Sequence, residues 1–395
     1  GDVGFDLIGL NGIGGWLIFI GFGIKAGFPL LHNWITDAYP EATVTGTVFL
    51  SAFTTKVAVY SLARAFPGTE LLVYVGVAMT CFPIFYAVIE NNLRRVLAYS
   101  MINQLGFMVA GVGIGGALGV NGASAHAVAD MVFKGLLMMS MGAVLLRTGT
   151  AKGSELGGLY KSMPQTTVLC MVGAASISAF PLFSGFATKS IILEAVAGEH
   201  RTVVWLLLLF ASAGVFHHAG IKIPYFAFFA HDRGFRVREA PLNMRVAMAL
   251  GALVCVGIGV APGLLYDILP HAMDYEPYTT PHVVNQLQLL LLASLAFTVL
   301  VRTGLYPPEV RSVNLDTDVL YRRVLPAGWH ALSRRTTRLH DRWGPPLRRH
   351  AGRLWALGTA PLRPEGRLAT SWSTHLMVWW VALLLGAVLL LTLLR

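Results

Sequence analysis

The chain has 395 residues, 55% of them hydrophobic and only 13% charged, with a mean hydropathy of +0.62. A soluble domain carries roughly twice that charged fraction, about 25%, so a water-soluble globular enzyme is excluded. The formal charge of +10 is concentrated between about residues 303 and 372, where Arg334, Arg335, Arg338, Arg342, Arg348, Arg349 and Arg353 follow one another. Beside apolar spans, such an excess points to a cytoplasmic, lipid-facing segment rather than to a nucleic-acid surface.

Apolar stretches of about 20 residues, the length a helix needs to cross ~30 Å of hydrocarbon, recur almost end to end. Only helices or closed barrels satisfy the backbone in lipid, so an all-α polytopic membrane fold follows. The spans are expected at 7–28, 43–66, 71–90, 96–119, 122–147, 166–195, 203–229, 244–266, 284–302 and 373–394. Arg94 and Arg95 follow the third span, and Arg147, Lys152 and Lys161 the fifth. His231, Asp232, Arg233, Arg236 and Arg238 follow the seventh, and the arginine stretch the ninth. By the positive-inside rule these alternate loops face the cytoplasm; Asp37 and Glu41 in the first loop are the exception. The stretch 322–367, with Trp329, Trp343 and Trp355 interleaved, reads as amphipathic helix at the membrane surface.

Two spans are expected to be broken. In the first, Lys25-Ala-Gly-Phe-Pro29 sets a charge, a glycine and a proline side by side; in the sixth, Phe180-Pro181-Leu-Phe-Ser-Gly-Phe-Ala-Thr-Lys189 does so in reverse order. A proline removes an intrahelical donor and frees a carbonyl one turn earlier. In lipid the freed group needs a polar cavity or a neighbouring helix, and paired broken helices point to a transporter's ion site.

Lys25, Lys56, Lys134 and Lys189 all lie within apolar spans. An ionised lysine at a helix centre costs about 2.5–3.5 kcal/mol, so each must face a cavity, pair across helices or give up its proton. In the fifth span His126, Asp130 and Lys134 stand at i, i+4 and i+8, on one face and spread over ~12 Å. They offer an imidazole, a carboxylate and an amine, with an intrahelical Asp130–Lys134 pair as the simplest arrangement. In the seventh span His218 and Lys222 share a face ahead of Pro224, and His217 points elsewhere. His126 and Asp130 lack further ligands in sequence, so no metal is expected. Nor is any cofactor, since no nucleophile–base pairing, phosphate loop or haem motif occurs. Gly111-Val-Gly-Ile-Gly-Gly116 follows no strand and reads as helix packing through small residues, not a dinucleotide turn. Cys81, Cys170 and Cys255 read as apolar core or lipid-facing residues.

The run Lys25-Ala-Gly-Phe-Pro-Leu-Leu-His-Asn-Trp-Ile-Thr-Asp-Ala-Tyr-Pro-Glu-Ala42 resembles the antiporter-like subunits shared by respiratory complex I and the multisubunit Mrp cation/proton antiporters. The likeness continues through Asn92–Gly106, Phe133-Lys-Gly-Leu-Leu137 and Phe180–Lys189, and His217–Phe226 looks most like the D-type subunit of the Mrp antiporters. It implies inverted five-helix repeats, each with a broken helix. The expected division is 1–66 for the end of the first repeat, 67–230 for the second and 231–310 for additional helices, then a basic amphipathic segment at 311–372 and an anchor at 373–395. It also implies that the first repeat is incomplete here, its glutamate lying in a part not included. Lys25 and Lys189 match the broken-helix lysines, Lys56 the lysine of the next helix, and Lys134 the channel lysine. Asp130 stands where many relatives have histidine.

The resulting expectation is a proton-translocating subunit of a monovalent cation (Na⁺)/H⁺ antiporter in a bacterial inner membrane, with other subunits of a hetero-oligomeric complex, H⁺, Na⁺ and lipids as partners. It has no catalytic site of its own. The alternative is the proton-pumping arm of an NADH:quinone oxidoreductase.

Overall fold

Each long apolar run forms a helix, because hydrocarbon leaves the backbone no other donor or acceptor. The computed structural model describes residues 7–310, 314–363, 366 and 373–394. Helix α1 covers Gly12–Ala26 and α2 Asn33–Glu41. The spans that follow are α3 (Gly46–Ala65), α4 (Glu70–Ile89), α5 (Leu93–Ile114) and α6 (Gly116–Thr148). Then come α7 (Pro164–Ile177) and α8 (Ser184–Gly198), followed by α9 (Thr202–Phe229), α10 (Leu242–Val260) and α11 (Thr280–Arg302). These belong to a first unit, Gly1–Asp318; a second, Val319–Arg395, holds α12 (Leu325–Thr359) and α13 (Thr374–Leu393).

Among the described residues eight of the expected spans are helices long and apolar enough to cross a membrane, and the two expected to be broken appear as the shorter pairs α1/α2 and α7/α8. One boundary differs. The spans expected at 96–119 and 122–147 meet instead at Gly115 and Gly116, whose φ values of +72° and +60° close a tight helical hairpin that a side chain would strain.

Helix α5 is the spine of the first unit. Its central window is 94% buried, against 22% for α10 and 17% for α11, which places the latter two at the periphery. It is reached closely because small residues line it: a Cβ on Gly106 would sit 2.6 Å from the Gly76 carbonyl oxygen of α4. Without a hydrophobic force between helices in lipid, such close packing supplies the association.

The loops sort to two ends. Buried Arg94 donates to Pro40 O (2.8 Å) and Ala42 O (2.9 Å), capping the carbonyl end of α2. Asn92 bridges to Lys152, Lys161 pairs with Asp232 at 2.9 Å, and Arg147 donates to Glu239 O at 2.6 Å. The loops after the first, third, fifth and seventh spans therefore converge. At the opposite end Gly68 N donates to Val112 O (2.9 Å), Asn121 to His271 O (2.6 Å), and Arg201 pairs with Glu70 at 2.6 Å.

In the second unit α12 exposes Trp329, Trp343 and Trp355, and α13 has no buried residue. Of the basic stretch expected at 322–367, the part up to Arg363 falls within the described residues apart from the Arg342 side chain; Glu365 and Arg367 lie outside them.

Convergence of the basic loops makes sidedness testable. Cysteines replacing exposed Arg233 and exposed Glu276 should react with a membrane-impermeant maleimide from opposite sides of the membrane, Arg233→Cys from the cytoplasm.

Candidate functional site

The site is built around the two breaks. Gly27 N–H donates to Ile24 O (3.2 Å) and Phe28 N–H to Gly23 O (2.9 Å), which terminates α1. At the second break Ala179 N–H donates to Ser176 O (3.1 Å) and Phe180 N–H to Ala175 O (3.0 Å). Both patterns are Schellman-like stops. Each break then places the leucine after its proline in the left-handed region: Leu30 at φ +71° after Pro29, and Leu182 at φ +73° after Pro181. A β-carbon is unwelcome there, costing about 1–3 kcal/mol, so packing on both sides enforces the interruption.

What the second break exposes is used. Lys189, in the second turn of α8, reaches back and donates to Ile177 O, the last residue of α7, at 3.2 Å. Gln286 of α11 donates to the next carbonyl, Ser178 O, at 3.2 Å. The Lys189 ammonium also lies 5.0 Å from the centre of the Phe107 ring of α5.

From Lys189 a line of polar groups runs along α5 and α6. His126 Nδ1 is 3.0 Å from Thr188 Oγ1, and its Nε2 is 2.9 Å from Gln104 Oε1. Gln104 spends its amide N–H on Asn103 Oδ1 at 2.9 Å, so its oxygen accepts from His126 Nε2–H. The Thr188 hydroxyl also lies 3.0 Å from Ser184 O. Turned toward His126 it donates to neutral Nδ1; turned toward Ser184 O it accepts from a protonated Nδ1. The ring can therefore hold one proton or two without losing a partner.

One and two turns further along α6 come Asp130 and Lys134. Asp130 Oδ2 lies 2.6 Å from Lys56 Nζ of α3, both side chains fully buried. Lys134 donates instead to Ser100 Oγ of α5 at 2.8 Å. The simple intrahelical Asp130–Lys134 pair is thus not formed: the carboxylate is matched across helices. The reason is local. Residues Leu50–Thr54 of α3 form a π-helical stretch, a feature common at functional sites, and Lys56 folds back to donate to Ser51 O at 2.7 Å. That turns its ammonium toward α6.

Several of the anticipated residues stand apart from this row or at its edge. Lys25 is exposed, unlike the buried Lys56, Lys134 and Lys189. Pro29 and Pro181 shape the breaks without touching the row's ions. Lys222 is buried, but at the end of α4, where it donates to Val88 O and Glu90 O, both at 2.7 Å. His218 is buried near it. Sequence reasoning missed Ser100, Gln104 and Thr188. The signal was present: Ser100, Asn103 and Gln104 repeat at helical spacing within an apolar span, where uncharged polar side chains need partners.

At the basic end a second polar group forms. Asp316 Oδ2 lies 3.1 Å from His32 Nε2 and accepts from Tyr99 OH at 2.8 Å, while Thr317 N–H donates to Oδ1 at 2.6 Å. Burial pushes this carboxyl up, but the hydrogen bonds from His32, Thr317 and Tyr99 outweigh it and hold it at about 2. No group of three or more metal-ligating side chains occurs among the described residues.

Breaking a buried pair costs more than removing it. Lys56→Met should orphan the Asp130 carboxylate and destabilise the detergent-solubilised protein by about 3–5 kcal/mol, seen as a lower melting temperature. The double change Lys56→Met/Asp130→Asn should recover most of that loss.

Residues 7–220 match the family model described as NADH:quinone oxidoreductase/Mrp antiporter, TM. Hydrogenase-4 component B of Escherichia coli K12 is 28% identical over 68% of this chain and 45% of its own length. The D-type subunit of the Na(+)/H(+) antiporter of Bacillus subtilis 168 is 26% identical over 57% of this chain and 47% of its own. In fold, the chain resembles one in the structure of the membrane-bound sulfane sulfur reductase, an archaeal respiratory membrane complex. The TM-score is 0.62 at 23% identity, over 95% of this chain and 68% of that one. The chain spans about half the length of the curated relatives it matches. More than half of it matches the family model, and it is a multi-pass membrane protein of the NADH:quinone oxidoreductase/Mrp antiporter family.

Proposed function

We propose that this chain moves protons through the membrane as one subunit of a multisubunit monovalent cation/H⁺ antiporter, with Na⁺ as the exchanged ion and the bacterial inner membrane as its site. The observation that carries the reading is the row Lys56–Asp130, Lys134–Ser100 and Gln104–His126–Thr188, buried throughout and ending at Lys189 on the broken helix. Every member is held by a hydrogen bond or, at Asp130, by the ion pair with Lys56. Lysine and histidine can also change protonation state near neutrality when their surroundings favour it. Lys56 and Asp130 fix the charge balance at one end, Lys134 and His126 carry the proton, and Lys189 exchanges it at the break. Lys25 takes its place on a face open to another part of the assembly.

The relation to hydrogenase-4 component B supports a second reading: the same row driven by electron transfer in neighbouring subunits. The two differ in the driving partner, not in the residues that pass the proton.

In everted vesicles carrying the assembled complex, Lys134→Met should abolish cation-driven proton flux while leaving assembly intact. Lys134→Arg should fail as well, because arginine keeps its charge and cannot release a proton. Flux equal to the parent in the arginine variant would show that Lys134 acts only as a fixed charge. Flux driven by Na⁺ gradients supports the antiporter, and flux requiring an electron donor the redox pump.

A further inference from the structure

Buried side-chain atoms without a hydrogen-bond partner are rare in folded proteins, and each calls for an explanation. Here several gather in one place away from the row. His217 Nε2, both ring nitrogens of His218 and the Tyr306 hydroxyl have no hydrogen-bond partner, and Glu309 has the Lys222 ammonium beside Oε1 and nothing on Oε2. The two histidines lie in the π-helical stretch Phe216–Ile221 of α9, where the backbone has left its regular spacing. Tyr306 and Glu309 come from the segment after α11. The His217 and Tyr306 rings are 5.5 Å apart between centroids.

Lys222 borders the cluster, and its ammonium is fully engaged. It lies 2.8 Å from Glu309 Oε1 and donates to Ala87 O (3.2 Å), Val88 O (2.7 Å) and Glu90 O (2.7 Å). With three protons and four acceptors it is a fixed counter-charge and the carbonyl cap of α4. The π-helical stretch also touches the second break: a Cβ on Gly220 would collide with Ser178 Oγ, one residue past the carbonyl that Lys189 holds. His218, fully buried, stands four residues before Lys222 in the same stretch of α9.

We propose that these atoms line a hydrated branch from the row to the basic end of the molecule, in which Glu309 exchanges protons with solvent and Lys222 is its counter-charge. Water bonded to two or more of these groups would satisfy what the protein leaves open. Glu309 is suited to the task by position, its side chain being only 5% exposed yet carried on a segment outside the spanning helices. Burial raises its carboxyl and the Lys222 ammonium pulls it back, leaving it above the ordinary carboxylate value. The titratable groups that act on it are Lys222 from α9, Glu90 beyond the end of α4, and Tyr306, whose ring His217 flanks. From the loop after α6 it meets Gly153, which adds no charge. In one cycle the Glu309 carboxylate takes a proton from a solvent hydronium, leaving water, and regains its charge when the proton passes through the histidines to the row, with no change of oxidation state.

The inference rests on reading the row as a proton path, so the test has two arms. In vesicles containing the assembled complex, Glu309→Gln should lower proton flux at least about tenfold, and Glu309→Asp should restore most of it. In infrared difference spectra of the purified protein, lowering the pH should raise a protonated-carboxyl band that is lost in Glu309→Gln and kept when exposed Glu199 becomes glutamine. If Glu309→Gln assembles poorly, Lys222→Gln/Glu309→Gln removes both charges together and should assemble, carry little flux and lack the band. Parental flux in either variant, or a band unaffected by the change at Glu309, overturns the proposal. A parent without cation- or electron-driven flux refutes the transport reading, while the infrared arm still decides on Glu309.

Discussion

An ion pair with no access to water organises the interior of this chain. Lys56 and Asp130 come from different helices, and both side chains are wholly buried. Desolvating either alone costs several kcal/mol, and their attraction offsets this only when the pair is held close. Holding it close requires α3 to approach α6, which depends on the π-helical stretch ahead of Lys56. The constraint then passes outward. With Asp130 committed to Lys56, Lys134 turns to Ser100, so α5 must present a hydroxyl there; His126, one turn before Asp130, is left to Gln104 and Thr188. The polar face of α5 thus follows from where α6 spends its only carboxylate.

The breaks serve the same end from the backbone side. A continuous helix at α7 and α8 would bury its carbonyls in its own hydrogen bonds. Pro181 and left-handed Leu182 stop that ladder, and Lys189 takes a released carbonyl as its partner. The lysine and the break stabilise each other: without the break the ammonium lacks an acceptor, and without the ammonium a carbonyl is orphaned in an apolar interior. The first break shares its local geometry but not its outcome, since exposed Lys25 precedes the interruption and does not reach back across it.

Fold class, span order and both breaks were legible in the sequence, because hydropathy and proline act locally. The motifs also singled out Lys134 and Lys189, both buried in the structure. Pairing was not legible. Helical spacing put Asp130 beside Lys134, and nothing in the string shows that a local π-helical stretch brings Lys56 closer. Glu309 and Asp316 were invisible for a different reason: each is a carboxylate after the ninth span with no motif around it, and its value comes from Lys222 or His32, far away in the chain. Uncharged Ser100 and Gln104 could have been found by asking which polar residues in an apolar span share a face.

The charge count of the row bears on how it would work. Lys56, Lys134 and Lys189 share one interior with a single carboxylate, Asp130, and Lys134 feels all of the other three. If every lysine were an ammonium, two cations would stand without a counter-charge in a medium where unit charges interact far more strongly than in water. The charge on one lysine therefore bears on the next. A proton arriving at one lysine weakens the hold of the next, which is how a chain of bases passes a charge without any of them moving far. His126, able to keep both partners with one proton or two, sits where that exchange must cross from α6 to α8. A second carboxylate in the row would relieve the repulsion and remove the coupling, so the scarcity of acid is part of the proposed mechanism.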